Sequence, residues 1–179
     1  GYGEYGGRGG GDILTPHPYP TYDERCMSLP LQKQQLRDAV KDRLSHMSDT
    51  DFHAESRSLC KQLLKLLPTE PSIICAFYPI KQEVDIRIAL EEIIKRGHTL
   101  SLPCFENGRL AYRHVENLKD LPIGPFHIPE PPKSAAQVIL EDIDIVLLPG
   151  RAFDRTGGRL GRGNGGYDKW LKILPEKNK

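Results

Sequence analysis

Between Ser72 and Pro103 the apolar pattern changes from a strand to a helix and back, and the links are short. Ser72 to Tyr78 is rich in β-formers and almost wholly apolar, the mark of a strand buried on both faces. Ile86, Leu90, Ile93 and Ile94 then recur at helical spacing, and Gly97 supplies a stop. Thr99 to Pro103 reads as the next strand. A strand, a helix and a strand joined this closely make a right-handed crossover and hence a parallel sheet. Leu110 to Val115 and Ile143 to Leu148 supply two more strands, the second apolar except for Asp144. Upstream, Pro30 opens a helix with an apolar stripe of Leu31, Leu36, Val40, Leu44 and Met47. Asp49 or Asp51 caps a second helix, whose core face is Leu59, Leu63, Leu66 and Leu67 and which Pro68 ends. Helices on both faces of a mostly parallel sheet result, an α/β fold.

With 179 residues the chain suits one domain with a substantial core. A formal charge of +1 argues against bulk adhesion to nucleic acid or membrane, and no apolar run is long enough to cross a bilayer. Cys26, Cys60, Cys75 and Cys104 are scattered, without zinc spacing or disulfide density, which points to a reducing, intracellular compartment. His98, His114 and His127 occur singly and read as packing or surface residues rather than metal ligands. Residues 1–27 are expected to form a disordered Gly-, Tyr- and Pro-rich extension, with the folded domain over 28–179. One arginine in its glycine tract favours an inert tail over an RNA contact, and Met27 reads as a natural start. Cytoplasmic residence is expected, or mitochondrial if the extension is a transit peptide.

Beyond the Ile143 to Leu148 strand lies the chemically richest stretch, Pro149 to Asp154 followed by Gly157 to Asp168. In open α/β sheets, ligands bind beyond the carboxyl ends of strands. Glycines there let backbone N–H groups approach a ligand, while Arg159 and Arg162 offer forked donors that match phosphate oxygens. Asp168 suits Mg²⁺, which takes only one or two protein carboxylates. The Gly161-x-Gly163-x-x-Gly166 spacing does not follow a strand directly, and no Walker-type lysine is present, so a dinucleotide or P-loop reading fails. A triphosphate cradle is the reading, with a plain glycine turn as the alternative.

The stretch from Asp144 to Leu171 resembles the signature of the 5-formyltetrahydrofolate cyclo-ligase family: a strand ending in Pro-Gly, an aromatic-Asp pair, Gly-x-Arg-Leu-Gly, and glycines closing on Tyr-Asp. Lys33 to Arg37, Phe77 to Asp85 and Pro129-Glu130-Pro131 resemble further family segments. The resemblance implies a three-layer αβα sandwich like that of ribose-phosphate isomerases and coenzyme A transferases. It also implies ATP- and Mg²⁺-dependent closure of 5-formyltetrahydrofolate to 5,10-methenyltetrahydrofolate by a monomer. ATP would then contact Lys33, Arg37, Arg159, Leu160, Gly161, Arg162, Gly163, Asn164, Gly165, Gly166 and Tyr167, with Arg159 and Arg162 catalytic. Folate would meet Tyr78, Glu83 and the Arg162 to Gly166 run, and Asp168 would hold the metal. By residue chemistry alone, Glu83 or Asp85 is equally a helix-start acid, and Lys33 and Arg37 a solvated basic face.

Two positions depart from the family pattern. Gly166 stands where a tyrosine is common, removing an aromatic wall, and Asn164 stands where a lysine or glycine is usual, of which the lysine would add charge. The family also continues beyond the position of Lys179 with a strand and an aspartate. A catalytically weak or inactive folate- and nucleotide-binding relative is therefore the alternative function, with an RNA-associated protein behind it.

Overall fold

In a computed structural model, which describes residues 28–176, strand β1 (Ile73–Cys75) occupies the middle of a four-stranded sheet. It pairs in parallel with β2 (Thr99–Glu106), Ile73 opposite Thr99, and with β4 (Ile145–Val146), Ile74 opposite Ile145. Strand β3 (Arg109–Val115) folds back antiparallel on β2 around Asn107 and Gly108. Both turn residues have positive φ, 48° and 77°, as a tight hairpin requires. The sheet order is thus β3-β2-β1-β4, mostly parallel with one antiparallel edge.

Alternation along β1 divides the core. Ile74 joins Leu90, Ile93, Leu100 and Leu102 beneath helices α2 (Asp49–Leu66) and α3 (Arg87–Lys95). Cys75 turns to the other face, among Tyr112, Val138, Ile143 and Trp170, where helix α4 (Gly166–Leu171) packs. The three layers expected from the strand–helix alternation are present. Burial pushes the Cys75 thiol up to about 12, and Cys60 and Cys104 are likewise buried and free.

Several local expectations change. Ser48, rather than either aspartate, caps α2: its hydroxyl accepts the Asp51 N–H at 3.1 Å and donates to the Asp51 carboxylate at 2.7 Å. A hydroxyl reaching the third helical residue leaves Asp49 and Asp51 in the first turn, where the helix dipole favours them. Leu59 and Leu66 are exposed, and the contacts of α2 come from Ser56, Cys60, Leu63, Leu64 and Leu67. The stripe on α1 (Leu29–Ser45) is not a core face, because that helix buries no residue and leaves Leu31 and Leu36 about half exposed. The ladder of β4 is shorter than the apolar run, but backbone bonds from Asp144 to Ile73 and from Leu147 to Cys75 prolong its pairing. Helix α3 ends as expected at Gly97, whose φ is +85°. The expectations for residues 1–27, including Cys26 and Met27, lie outside the described residues. Among those described, no helix is long and apolar enough to cross a membrane.

Tyr112 packs its ring 4.4 Å from that of Trp170, yet its buried hydroxyl has no hydrogen-bond partner among the described residues. A buried donor without a partner costs about 1–3 kcal/mol, so Tyr112→Phe should leave stability unchanged or raise it. Urea unfolding followed by the fluorescence of Trp170 measures this. A clear loss of stability in the variant would reveal a hydroxyl partner and refute the prediction.

Candidate active site

A cavity of about 770 Å³ opens at the carboxyl ends of the parallel strands. Its walls come from the segment after β1 (Tyr78, Ile80, Glu83), the segment after β4 (Pro149 to Arg151), the β2–β3 ribbon, and the glycine-arginine loop. Basic side chains outnumber acidic ones along it. The volume is ordinary for a small-molecule site, which typically spans about 300–1,000 Å³.

The loop begins with a small hairpin, β5 (Ala152–Phe153) against β6 (Arg159–Leu160). Asp154 builds its turn, one carboxylate oxygen accepting the N–H groups of Thr156 and Gly158 at 2.8 Å and the Thr156 hydroxyl at 2.7 Å. These donors hold the Asp154 carboxyl below the usual carboxylate range. Arg159 leaves β6 to donate to the Pro149 carbonyl at 2.8 Å and to pair with Asp168. Its guanidinium lies 6.0 Å from the centre of the Tyr167 ring. Tyr167 packs against both cores, and burial, reinforced by the charge of Glu83, raises its phenol.

Arg162 makes the contact that joins the two halves of the site. Its Nε donates to Glu83 at 2.9 Å and its Nη2 to the Lys81 carbonyl at 3.0 Å. The second Glu83 oxygen accepts the Ile80 N–H at 3.2 Å. Glu83 therefore does not cap a helix; Asp85 serves that end, accepting the Arg87 N–H at 3.1 Å. Beyond Arg162 the backbone turns sharply. Gly163 has φ +108° with Arg37 alongside, and Gly165 (φ +67°) is the left-handed residue from which α4 starts. Side chains rarely adopt either conformation. Asn164 ties its amide oxygen to the Gly166 N–H at 3.3 Å.

Of the residues singled out in the sequence, Tyr78, Glu83, Arg159, Arg162, Tyr167, Asp168 and the loop from Gly161 to Gly166 line the cavity together. Leu160 lies in β6, where its carbonyl accepts the Arg151 N–H at 2.7 Å. Arg37 reaches the loop from α1, its Nε donating to the Gly161 carbonyl at 2.9 Å, but it does not line the cavity. Lys33 is exposed on α1 and also lies outside the wall. Among the charged wall residues that sequence reasoning did not assign to the site, two merit note. Arg151 follows directly on Pro-Gly at the end of an apolar strand, a signal that was available. Glu130 accepts the Phe105 N–H at 3.1 Å, and burial raises its carboxyl; nothing in sequence spacing places it there.

No cluster of three or more His, Cys, Asp or Glu side chains among the described residues could hold a metal by itself. Asp168 fits a Mg²⁺ held mostly by phosphate oxygens and water, since its side chain is 63% exposed at the cavity wall.

Comparison with known proteins agrees with this geometry. A model of the 5-formyltetrahydrofolate cyclo-ligase family matches residues 31–179. The mitochondrial 5-formyltetrahydrofolate cyclo-ligase of Arabidopsis thaliana is 32% identical over 175 residues, covering 87% of this chain and 63% of its own length. A probable 5-formyltetrahydrofolate cyclo-ligase of Schizosaccharomyces pombe is 29% identical over 147 residues, covering 79% and 72%. Among solved structures, the 5,10-methenyltetrahydrofolate synthetase of Aquifex aeolicus superposes with a TM-score of 0.69 at 33% identity, over 79% of this chain and 73% of that one. The Mycoplasma pneumoniae synthetase, at 19% identity and a TM-score of 0.64, shares the fold. A family match running from the first helix through the glycine-arginine loop places this chain in the 5-formyltetrahydrofolate cyclo-ligase family.

Proposed function

We propose that this chain closes 5-formyltetrahydrofolate to 5,10-methenyltetrahydrofolate at the expense of ATP, releasing ADP and phosphate. The observation that carries this reading is the Arg162–Glu83 pair. It sets a loop built for phosphate against a carboxylate suited to the paired N–H donors of a pterin, in one cavity.

The N5-formyl oxygen is a poor leaving group until it is phosphorylated. The γ-phosphoryl moves to that oxygen as its bond to ADP breaks. N10 then attacks the formyl carbon and loses its proton, and phosphate departs with the oxygen, leaving the methenyl cation. Arg159, Arg162 and the Gly161 to Gly166 amides stabilise the charge in flight, and Glu83 and Tyr78 hold the pterin. Mg²⁺ held at Asp168 would neutralise and orient the phosphates. The chain acts as a monomer in the cytoplasm or, with a transit peptide, in the mitochondrion. The free buried thiols support a reducing compartment. A binder without turnover is the competing reading, favoured by Gly166 and Asn164.

The deciding experiment mixes the protein with 5-formyltetrahydrofolate and Mg-ATP and follows the near-ultraviolet band of the methenyl product. ATP-dependent growth, abolished by chelation of Mg²⁺, is expected; binding of both ligands without growth would establish the binder instead.

Arg162→Ala and Asp168→Ala should each lower turnover about 100-fold or more, the usual cost of losing a transition-state charge contact. Thermal melting separates this from misfolding. Asp168→Ala should still unfold cooperatively, its melting temperature lowered only by what Arg159 loses with its partner. Unchanged turnover in either variant would remove that residue from the mechanism. Gly166→Tyr should tighten folate binding. A Cβ there meets the Leu110 side chain at 3.5 Å, an ordinary contact, so the backbone at this position admits a side chain. Titration calorimetry with 5-formyltetrahydrofolate should give a lower Kd; an equal Kd would make the departure neutral.

A further inference from the structure

Arg159 and Arg162 enter the cavity with their hydrogen bonds already made, to Pro149 and Asp168 in one case and to Glu83 and Lys81 in the other. Arg151 is different. Its backbone N–H is fixed to the Leu160 carbonyl at 2.7 Å, rooting it in the same hairpin that carries Arg159. Its side chain lines the cavity, and its Nη1 is buried with no hydrogen-bond partner among the described residues. An unmatched buried donor is unfavourable, and more so on a charged group. A rotation of the side chain that brings Nη1 to an oxyanion in the cavity would remove that penalty.

We infer that Arg151 is a third phosphate-binding guanidinium of this cavity, beside Arg159 and Arg162, and that it grips the transferring phosphoryl group. The inference rests on the cyclo-ligase reading for the identity of that group. Two observations favour a phosphoryl oxygen over a carboxylate. Arg151 shares its hairpin with Arg159 and sits within electrostatic reach of Arg162, the two residues assigned to the nucleotide. Asn164 brings no charge to the loop, so Arg151 supplies a cation from the opposite strand end. Its surroundings agree: burial and the nearby Arg162 charge both oppose its protonated form, and Glu83 offsets them only in part. A guanidinium in that position gains most from an anion.

Three variants test this: Arg151→Gln and Arg151→Leu, which remove the charge, and Arg151→Lys, which keeps it. Because Nη1 makes no bond, Arg151→Leu should melt at or above the wild-type temperature; a marked drop would show a structural role and overturn the inference. Inorganic tripolyphosphate, without nucleotide or folate, should raise the melting temperature of the wild type. It should raise that of Arg151→Lys less and that of Arg151→Gln hardly at all. In the methenyl assay Arg151→Gln should lose about 100-fold in kcat with the KM for 5-formyltetrahydrofolate unchanged. An unchanged tripolyphosphate response and kcat, or a change confined to the folate KM, would overturn it. If the wild type fails to turn over while its tripolyphosphate response still depends on Arg151, the cyclo-ligase reading falls and the anion seat stands.

Discussion

Three residues, Ile73 to Cys75, hold both parallel pairings of the sheet and divide its two cores between them. A strand in that position has no edge and no face left for water, so its backbone groups must be matched by its neighbours on both sides. Asp144 contributes twice to that matching. Its N–H donates to the Ile73 carbonyl at 3.0 Å, and its carboxylate accepts the Ile73 N–H at 2.8 Å. The position of β4 beside β1 fixes where Pro149 to Arg151 emerge. The exit of β1 fixes Tyr78 to Glu83 a strand's width away. The cavity is what remains between two adjacent parallel strands whose continuations diverge.

Across that gap two of the arginines are matched by carboxylates. Arg159 answers Asp168 and Arg162 answers Glu83, so each guanidinium is positioned by a carboxylate of the cavity wall. Both carboxylates are thus held in place before a ligand arrives. The arrangement also keeps arginines of like charge close together without an anion, which an unpaired cluster would resist.

The layered fold was legible because its signal is periodic. The change from β-rich to helical spacing and back between Ser72 and Pro103 admits few topologies, and Gly97 marks its own turn. The loop was legible because glycine and arginine together have few purely structural uses. What the sequence hid depends on distance in space. The Arg162–Glu83 pair joins residues far apart in the chain, and no pattern at either end announces the other. Periodicity also overstated the stripe on α1, since spacing shows that a helix has an apolar side but not that anything lies against it. The choice of Ser48 over Asp49 and Asp51 as the cap turned on one residue of reach, below what composition resolves. Arg151 was visible as a charge at the end of an apolar strand, but the burial of its Nη1 was not.

Helix α1 is weakly packed and yet touches the active loop. It buries no residue, and it meets the loop where Arg37 donates to the Gly161 carbonyl and lies alongside Gly163. A helix of this kind has little stability of its own, so its order is linked to the geometry of those two glycines. Linkage is reciprocal: whatever steadies the loop steadies the helix, and whatever restrains the helix pre-organises the loop. The first element of the described chain is therefore a distant part of the cavity's conformational equilibrium, although it contributes nothing to the cavity wall.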